Sequence, residues 1–254
     1  MTNEFSTYLS LLKNLIASPS PSRQEDLTAR ILGDFFQQHQ VPTFRNGHNI
    51  WAYNQRRSPH KPTLLLNSHH DTVKPVRGWT RVPYEPVVED GRLYGLGSND
   101  AGGCLIALIA AFLELYERDD LPVNLVLAAT AEEEISGAGG IAAIVPELEP
   151  LWAGIVGEPT QLQPAVAEKG LLVIDGEAHG VAGHAARDEG VNALYLALED
   201  IERLRRYAFQ HRSPLLGPVK VSVTQIEAGH QHNVVPDRCS FVIDVRTNTL
   251  YSNE

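Results

Sequence analysis

Basic residues are scarce in this 254-residue sequence: 21 Lys and Arg stand against 31 Asp and Glu, a formal net charge of −10. A field of that sign argues against nucleic acid or an anionic membrane surface as a partner. Cysteine is rarer still, limited to Cys104 and Cys239. Both sit in apolar runs, so reduced, packed thiols fit better than a disulfide. Neither has a Cys-x-x-Cys partner, and neither falls in a loop that reads as a site. The amino-terminal stretch lacks a basic region followed by an apolar one, so no secretory signal is expected. No apolar run reads as long enough to span a bilayer; the longest is closed by Glu114. A cytoplasmic location is the natural expectation. There is no Gly-x-Ser-x-Gly elbow for a serine nucleophile and no Walker loop for phosphates.

What is present suffices for a core. Hydrophobic residues make up 43% of the chain, and the length allows one large domain or two modest ones. Phe5, Leu9, Leu12 and Ile16 recur at helical spacing before Pro19 and Pro21. Leu27, Ile31 and Phe35 mark a second helix over 24–39, with Ser22 as its cap and Glu25 as the reciprocal partner. Residues 50–54, 63–68 and 123–130 predict strands, the last two buried on both faces. Asp100 to Tyr116 is the strongest predicted helix. Residues 139–144 predict a short helix, and 154–157 end a strand. This alternation indicates an α/β domain with a mostly parallel sheet flanked by helices, spanning 1–167. From 168 to 254 the pattern changes to strand, amphipathic helix 192–207 and two alternating strands, 219–226 and 239–245. That β-α-β-β order is the first part of a ferredoxin-like α+β unit.

Polar residues cluster where the central strands end, the usual location of ligands in such sheets. His69 and Asp71 point to the same side of an extended segment, with His70 facing the other way. An imidazole with a carboxylate beside it suits a metal ligand and its orienting partner; a polar turn at a strand end is the alternative. Asp100 lies among Gly95, Gly97, Gly102 and Gly103. It is either a helix cap or a carboxylate held to bridge two cations. A dinucleotide loop is rejected, because Asp100 stands where the third glycine belongs and would repel a pyrophosphate. Glu132, Glu133 and Glu134 follow a buried strand. They form either a solvated acidic loop or a group that a cation neutralises. Glu158, stiffened by Pro159, ends another apolar strand.

The segments SHHDTV, YGLGSNDAGG, TAEEEISG and VGEPT, then HGVAGHAA, GVNAL and HNVVPDRCSFVIDVR, occur in an order that resembles one family. These are the co-catalytic zinc hydrolases that include acetylornithine deacetylase, succinyl-diaminopimelate desuccinylase, aminoacylase and carboxypeptidase G, and acetylornithine deacetylase is the most similar. The resemblance implies that His69, Asp100 and Glu158 bind one zinc. It implies that Asp100 bridges to a second zinc also held by Glu134, with cobalt as a possible substitute metal. Asp71 would orient His69, and Glu133 would be the general base. His184 would cross a homodimer interface to stabilise the oxyanion, and Asn233 and Arg246 would hold the substrate carboxylate. The second domain would then be a lid and dimerisation domain. The implied reaction is hydrolysis of an N-acyl amino acid such as N-acetylornithine. A desuccinylase, a metallo-carboxypeptidase or a dipeptidase is the alternative, and a non-catalytic dimeric binding protein is the rival of another class.

Family members usually continue for about another 100 residues, which would complete the lid and supply a final His ligand. The resemblance therefore implies that this chain is C-terminally shortened, binds one zinc weakly or none, and turns over little. It also implies exposed apolar surface on an incomplete lid, favouring dimerisation or aggregation.

Overall fold

The computed structural model describes residues 3–252. The chain divides into two compact units, Met1–Leu162 and Gln163–Glu254.

In the first unit, the two predicted amphipathic stretches form α1 (Asn3–Ile16) and α2 (Asp26–Gln38). Ser22 does not cap α2. Its hydroxyl donates to Asp71 Oδ2 at 2.7 Å, and Glu25 occupies the cap position without a side-chain cap bond. Strands β1 (Phe44–Asn46), β2 (Asn49–Tyr53) and β3 (Thr63–His69) follow. A small hairpin, β4 (Val87–Glu89) and β5 (Arg92–Tyr94), lies in the crossing that precedes the glycine-rich loop. Next come α3 (Cys104–Leu115), β6 (Asn124–Thr130), α4 (Ile141–Ile144) and β7 (Leu151–Val156).

The sheet order is β1-β2-β6-β3-β7. The β6–β3 and β3–β7 pairings are parallel, whereas β1–β2 and β2–β6 are antiparallel. The sheet is therefore mixed rather than mostly parallel. The short turn at Gly47 can join β1 and β2 only as an antiparallel hairpin, since parallel neighbours need a long crossover. Alternation along the strands feeds two cores. Leu66, Leu125 and Leu127 pack on Leu32, Phe36 and Phe112 of the helices, while Trp51, Leu65 and Val126 pack with Ile144 on the other face. Fully burying a side chain such as Phe112 contributes about 2–3 kcal/mol.

The strongest predicted helix starts at Cys104, not Asp100. One wide helical turn, Ser98–Gly103, precedes it, and within that turn Asp100 (φ −114°, ψ 101°) and Ala101 have non-helical backbone. Asp100 is thus not a helix cap. Together these segments, Ser98–Leu115, form 18 residues of mean hydropathy 1.4, long and apolar enough by composition to cross a membrane. No run of that length is expected from the sequence, where Glu114 closes the apolar stretch. Here Leu105, Ile109 and Phe112 are buried in the core, which accounts for that apolarity.

The second unit contains β8 (Gly170–His179), β9 (Gly183–His184), α5 (Ala193–Arg206), β10 (Lys220–Ala228), β11 (Val234–Val235) and β12 (Arg238–Thr247). Asn192 caps α5 by accepting the Leu194 amide at 2.9 Å. The three long strands run in the order β10-β12-β8, with β12 antiparallel to both neighbours. Ala193 and Ala197 let α5 lie close on Phe241, Ile243 and Val245.

Candidate metal centre

Of the three parallel strands of the first unit, β3 and β6 end level, with His69 opposite Thr130, and β7 ends two residues earlier, with Val156 opposite Asn67. That register brings His69 at the end of β3, Glu133 and Glu134 just past β6, and Glu158 just past β7 to one edge of the sheet. Asp100 reaches the same edge from the wide turn ahead of α3. The turn depends on Gly97, whose φ of +78° is left-handed and whose Cβ, if added, would sit 2.7 Å from Thr72 Cγ2.

His69 is the hub and is 1% exposed. Its Nε2 lies 3.2 Å from Asp100 Oδ1, 3.7 Å from Glu158 Oε1 and 3.8 Å from Glu133 Oε2. On the other side of the ring, Nδ1 faces the Asp71 carbonyl oxygen at 3.0 Å and Asp71 Oδ1 at 3.3 Å. Two groups of donors lie close enough to hold an ion: His69 with Asp100 and Glu134, and His69 with Glu133 and Glu158. Glu158 and Asp100 both lie within 4 Å of His69 Nε2. Asp100, Glu133 and Glu158 converge on one imidazole nitrogen, with Glu134 beside Asp100.

Electrostatics match a site built for a cation. Burial works against a charged His69, but the hydrogen bond and charge of Asp71, then Glu158 and Glu133, outweigh it and raise the imidazole to about 9. Burial lifts the Glu158 carboxyl to about 7 against the pull of His69, helped by Glu133, Asp100 and Glu134. Glu134 is raised by burial and then by Asp100. Burial also opposes ionisation of Asp71, yet its bonds from His69, Ser22 and the Glu133 amide hold it below the usual carboxylate range. Crowded acids of this kind are relieved by a divalent ion, and an imidazole-plus-carboxylate set suits zinc and its neighbours.

The third acid of the triplet, Glu132, turns away from the others. Its backbone is left-handed (φ 54°), and its carboxylate rests against Gly137 and Gly139, where a β-carbon would collide with it. Cys104, which falls in no loop that reads as a site, borders this one. Its thiol is raised by burial and then by Glu158 and Asp100.

A cavity of about 630 Å³ opens beside Asp100 and Glu134, with Trp79, Arg81 and Tyr94 in its lining. Those residues went unread in the sequence, where the only signal was aromatic side chains in an otherwise polar crossing. Of the residues that brace the site from behind, Ser22 and Glu25 carry only the signature of a helix cap, and His48 carries none.

His184, Asn233 and Arg246 belong to the second unit. His184 pairs with Val234 across β9 and β11, and the Asn233 carbonyl accepts the Ala185 amide at 3.0 Å, so these two lie side by side. Arg246 sits on the outer face of β12, where its guanidinium donates to both Asp244 carboxylate oxygens at 2.9 and 3.1 Å.

Residues 65–243 match the family described as Peptidase family M20/M25/M40. A probable carboxypeptidase of Aspergillus terreus is 32% identical over 270 residues, covering 95% of this chain and 60% of that protein. The chain thus spans less than two thirds of the length of that relative. Among solved structures, the M20 family metallo-carboxypeptidase Sso-CP2 of Sulfolobus solfataricus superposes with a TM-score of 0.71 at 20% identity, over 99% of this chain and 72% of that one. The YXEP protein of Bacillus subtilis, described as a dinuclear metal binding peptidase, gives 0.62 at 19%, over 95% of this chain and 64% of that one. At those identities the two structures establish the shared fold. With a family match over most of its length, the chain belongs to peptidase family M20/M25/M40.

Proposed function

We propose that this chain carries the metal centre of a carboxypeptidase-like amide hydrolase, cleaving an amide bond next to a free carboxylate. The observation that carries the reading is the convergence of His69, Asp100, Glu133, Glu134 and Glu158 at the ends of three parallel strands, beside an open cavity. The name of the Aspergillus relative favours a peptide over a small acyl group. Deacylation of an N-acyl amino acid, N-acetylornithine included, is the same reaction with a smaller acyl part.

His69, Asp100, Glu134 and Glu158 are the residues that would hold zinc. When bound, a divalent ion polarises the scissile carbonyl and makes water acidic enough to deprotonate near neutral pH. Asp71 keeps the His69 ring turned so that Nε2 faces the cluster. Glu133, with its carboxyl half-exposed beside His69, takes the proton of the attacking water and returns it to the departing amide nitrogen. The roles of His184 as oxyanion donor, and of Asn233 and Arg246 as carboxylate binders, rest on the resemblance. A substrate carboxylate would have to compete with Asp244 for Arg246. A homodimer through the second unit belongs to the same reading, supported by Leu171 and Val173 lying exposed on the edge strand β8. Light scattering that gives the mass of one chain at high concentration would remove it.

The test compares zinc-loaded chain and its Glu133→Gln variant on N-blocked dipeptides and on N-acetylornithine. The wild type is expected to release the C-terminal amino acid, and the variant to lose about 10²–10⁴ in kcat while keeping its metal. An unchanged kcat in Glu133→Gln, or no amide hydrolysis by the loaded wild type, would overturn the proposal.

A further inference from the structure

Behind the cluster lies a second set of polar groups that the chemistry above does not use. Glu25 is fully buried, with 0% of its surface exposed. As the residue at the start of α2, it would ordinarily turn its carboxyl onto the first amides of that helix; it makes no such bond. Instead, Oε1 accepts the Arg23 amide at 2.8 Å and the Glu132 amide at 3.1 Å, the latter from a residue 107 positions away. The other oxygen, Oε2, lies 2.6 Å from His48 Nδ1. His48 in turn offers its carbonyl oxygen to His70 Nε2 at 3.1 Å, and the His70 amide donates to the Thr130 carbonyl at 2.9 Å. The contacts close a ring from the end of β3, through the β1–β2 turn and the start of α2, to the end of β6.

This ring matters because of what stands next to Glu132. Three successive amides leave β6, and each is taken by a buried carboxyl: Glu132 by Glu25, then Glu133 and Glu134 by Asp71. The preceding amide, of Ala131, is held by Asn49 Oδ1 at 3.0 Å, so Glu25 supplies the link between that anchor and the two amides bound by Asp71. We propose that Glu25, held by His48, is a positioning residue of the metal centre, pinning the Glu132 amide and thereby aiming Glu133 and Glu134 at His69. The pair touches neither ion nor substrate; it acts through the backbone of the turn. Residues that orient metal ligands typically change affinity or activity 10–100-fold when lost.

The inference rests on the metal-centre reading, but it is read without turnover. A wild type that binds zinc and hydrolyses no amide would sink the proposed reaction and leave this inference standing. The experiment uses the full chain with Glu25→Ala and Glu25→Gln. Zinc affinity is measured by competition with a chromophoric chelator, and amide exchange by mass spectrometry over residues 131–137, β3 and β6. Glu25→Ala is expected to weaken zinc about 10–100-fold and to speed exchange at 131–137 about tenfold, with β3 and β6 unaltered. Glu25→Gln keeps an acceptor for both amides and a donor for His48 Nδ1, so it should stay within about threefold of wild type in both. If Glu25→Ala does not fold, His48→Ala is read in the same way, since His48 is only half-buried. Wild-type zinc affinity in the alanine variant that folds would overturn the proposal. So would exchange that rises equally in β3 and β6, which marks a purely structural role.

Discussion

Asp71 Oδ1 accepts the amide N–H of Glu133 at 3.1 Å, 62 residues away in the chain. Its second oxygen accepts the Glu134 amide at 3.2 Å and the Ser22 hydroxyl at 2.7 Å, and Oδ1 also faces His69 Nδ1. One buried carboxyl therefore sets the angle of the imidazole and the path of the backbone that carries the two glutamates. The ligand and the proposed base are not placed independently; they share a support.

Replacing that support by Asp71→Asn should damage both at once. An amide offers a single acceptor oxygen and turns two N–H groups towards donors that need acceptors. Zinc affinity is expected to fall about 10–100-fold, and stability by about 1–3 kcal/mol as buried amides lose their partners. Chelator competition and urea unfolding measure the two. Wild-type zinc affinity in this variant would show that Asp71 supports neither.

Metal uptake should release protons. Without an ion, His69 is raised to about 9 and Glu158 to about 7. A ligating His69 must be neutral at Nε2 and a ligating Glu158 must be ionised, so protons compete with the ion at both. Affinity is expected to rise with pH through 7 and on towards 9, and to collapse below 7. Calorimetric titration in buffers of different ionisation enthalpy gives the count directly. A binding enthalpy that ignores the buffer would contradict the prediction.

Much of the site was legible because each ligand stands at the end of an apolar strand or among glycines. His69, Glu133 and Glu134 inherit their place from β3 and β6, whose burial on both faces writes itself as unbroken apolar runs, and Glu158 follows β7, an apolar edge strand that is largely exposed. The antiparallel edge of the sheet was not legible, since β1 is three residues long and mostly exposed, although β2 was. Nor were the supports. Ser22 and Glu25 look like an ordinary capping pair, and only the tertiary structure turns them towards Asp71 and Glu132, 49 and 107 residues away. Local pattern reports which face of an element is buried. It cannot report which distant amide a buried carboxyl will satisfy.

His70 gives the chain an acid-labile point next to the centre. Burial drives its imidazole down to about 4, against the raising effects of the His48 carbonyl, Asp71 and Glu25. The folded chain therefore keeps His70 neutral where the unfolded chain, titrating near 6.5, takes up a proton. The stabilisation is complete above about 6.5 and is lost as pH falls towards 4, an effect on the order of 1–3 kcal/mol. Urea unfolding of metal-free wild type and His70→Gln across that range isolates it. The advantage of the wild type should shrink as pH falls, and a difference that stays constant would refute the assignment.

The two groups of metal donors share one imidazole, and this sets their order of filling. Nδ1 of His69 is committed to Asp71, so only Nε2 can ligate, and it can serve one ion. Among the described residues, any second ion in this cluster must rely on carboxylates alone, which hold zinc less tightly than a site that includes nitrogen. Zinc titration is expected to show one tight step and one weak step. His69→Ala should remove the tight step and leave the weak one. Asp100→Asn should weaken both, since Asp100 lies nearest the shared nitrogen at 3.2 Å. Zinc binding also adds stability by mass action, about 2.7 kcal/mol at a hundredfold excess over Kd, so the thermal midpoint should climb chiefly across the tight step. Two steps of equal affinity, or a tight step that survives His69→Ala, would mean that another donor decides where the first ion sits.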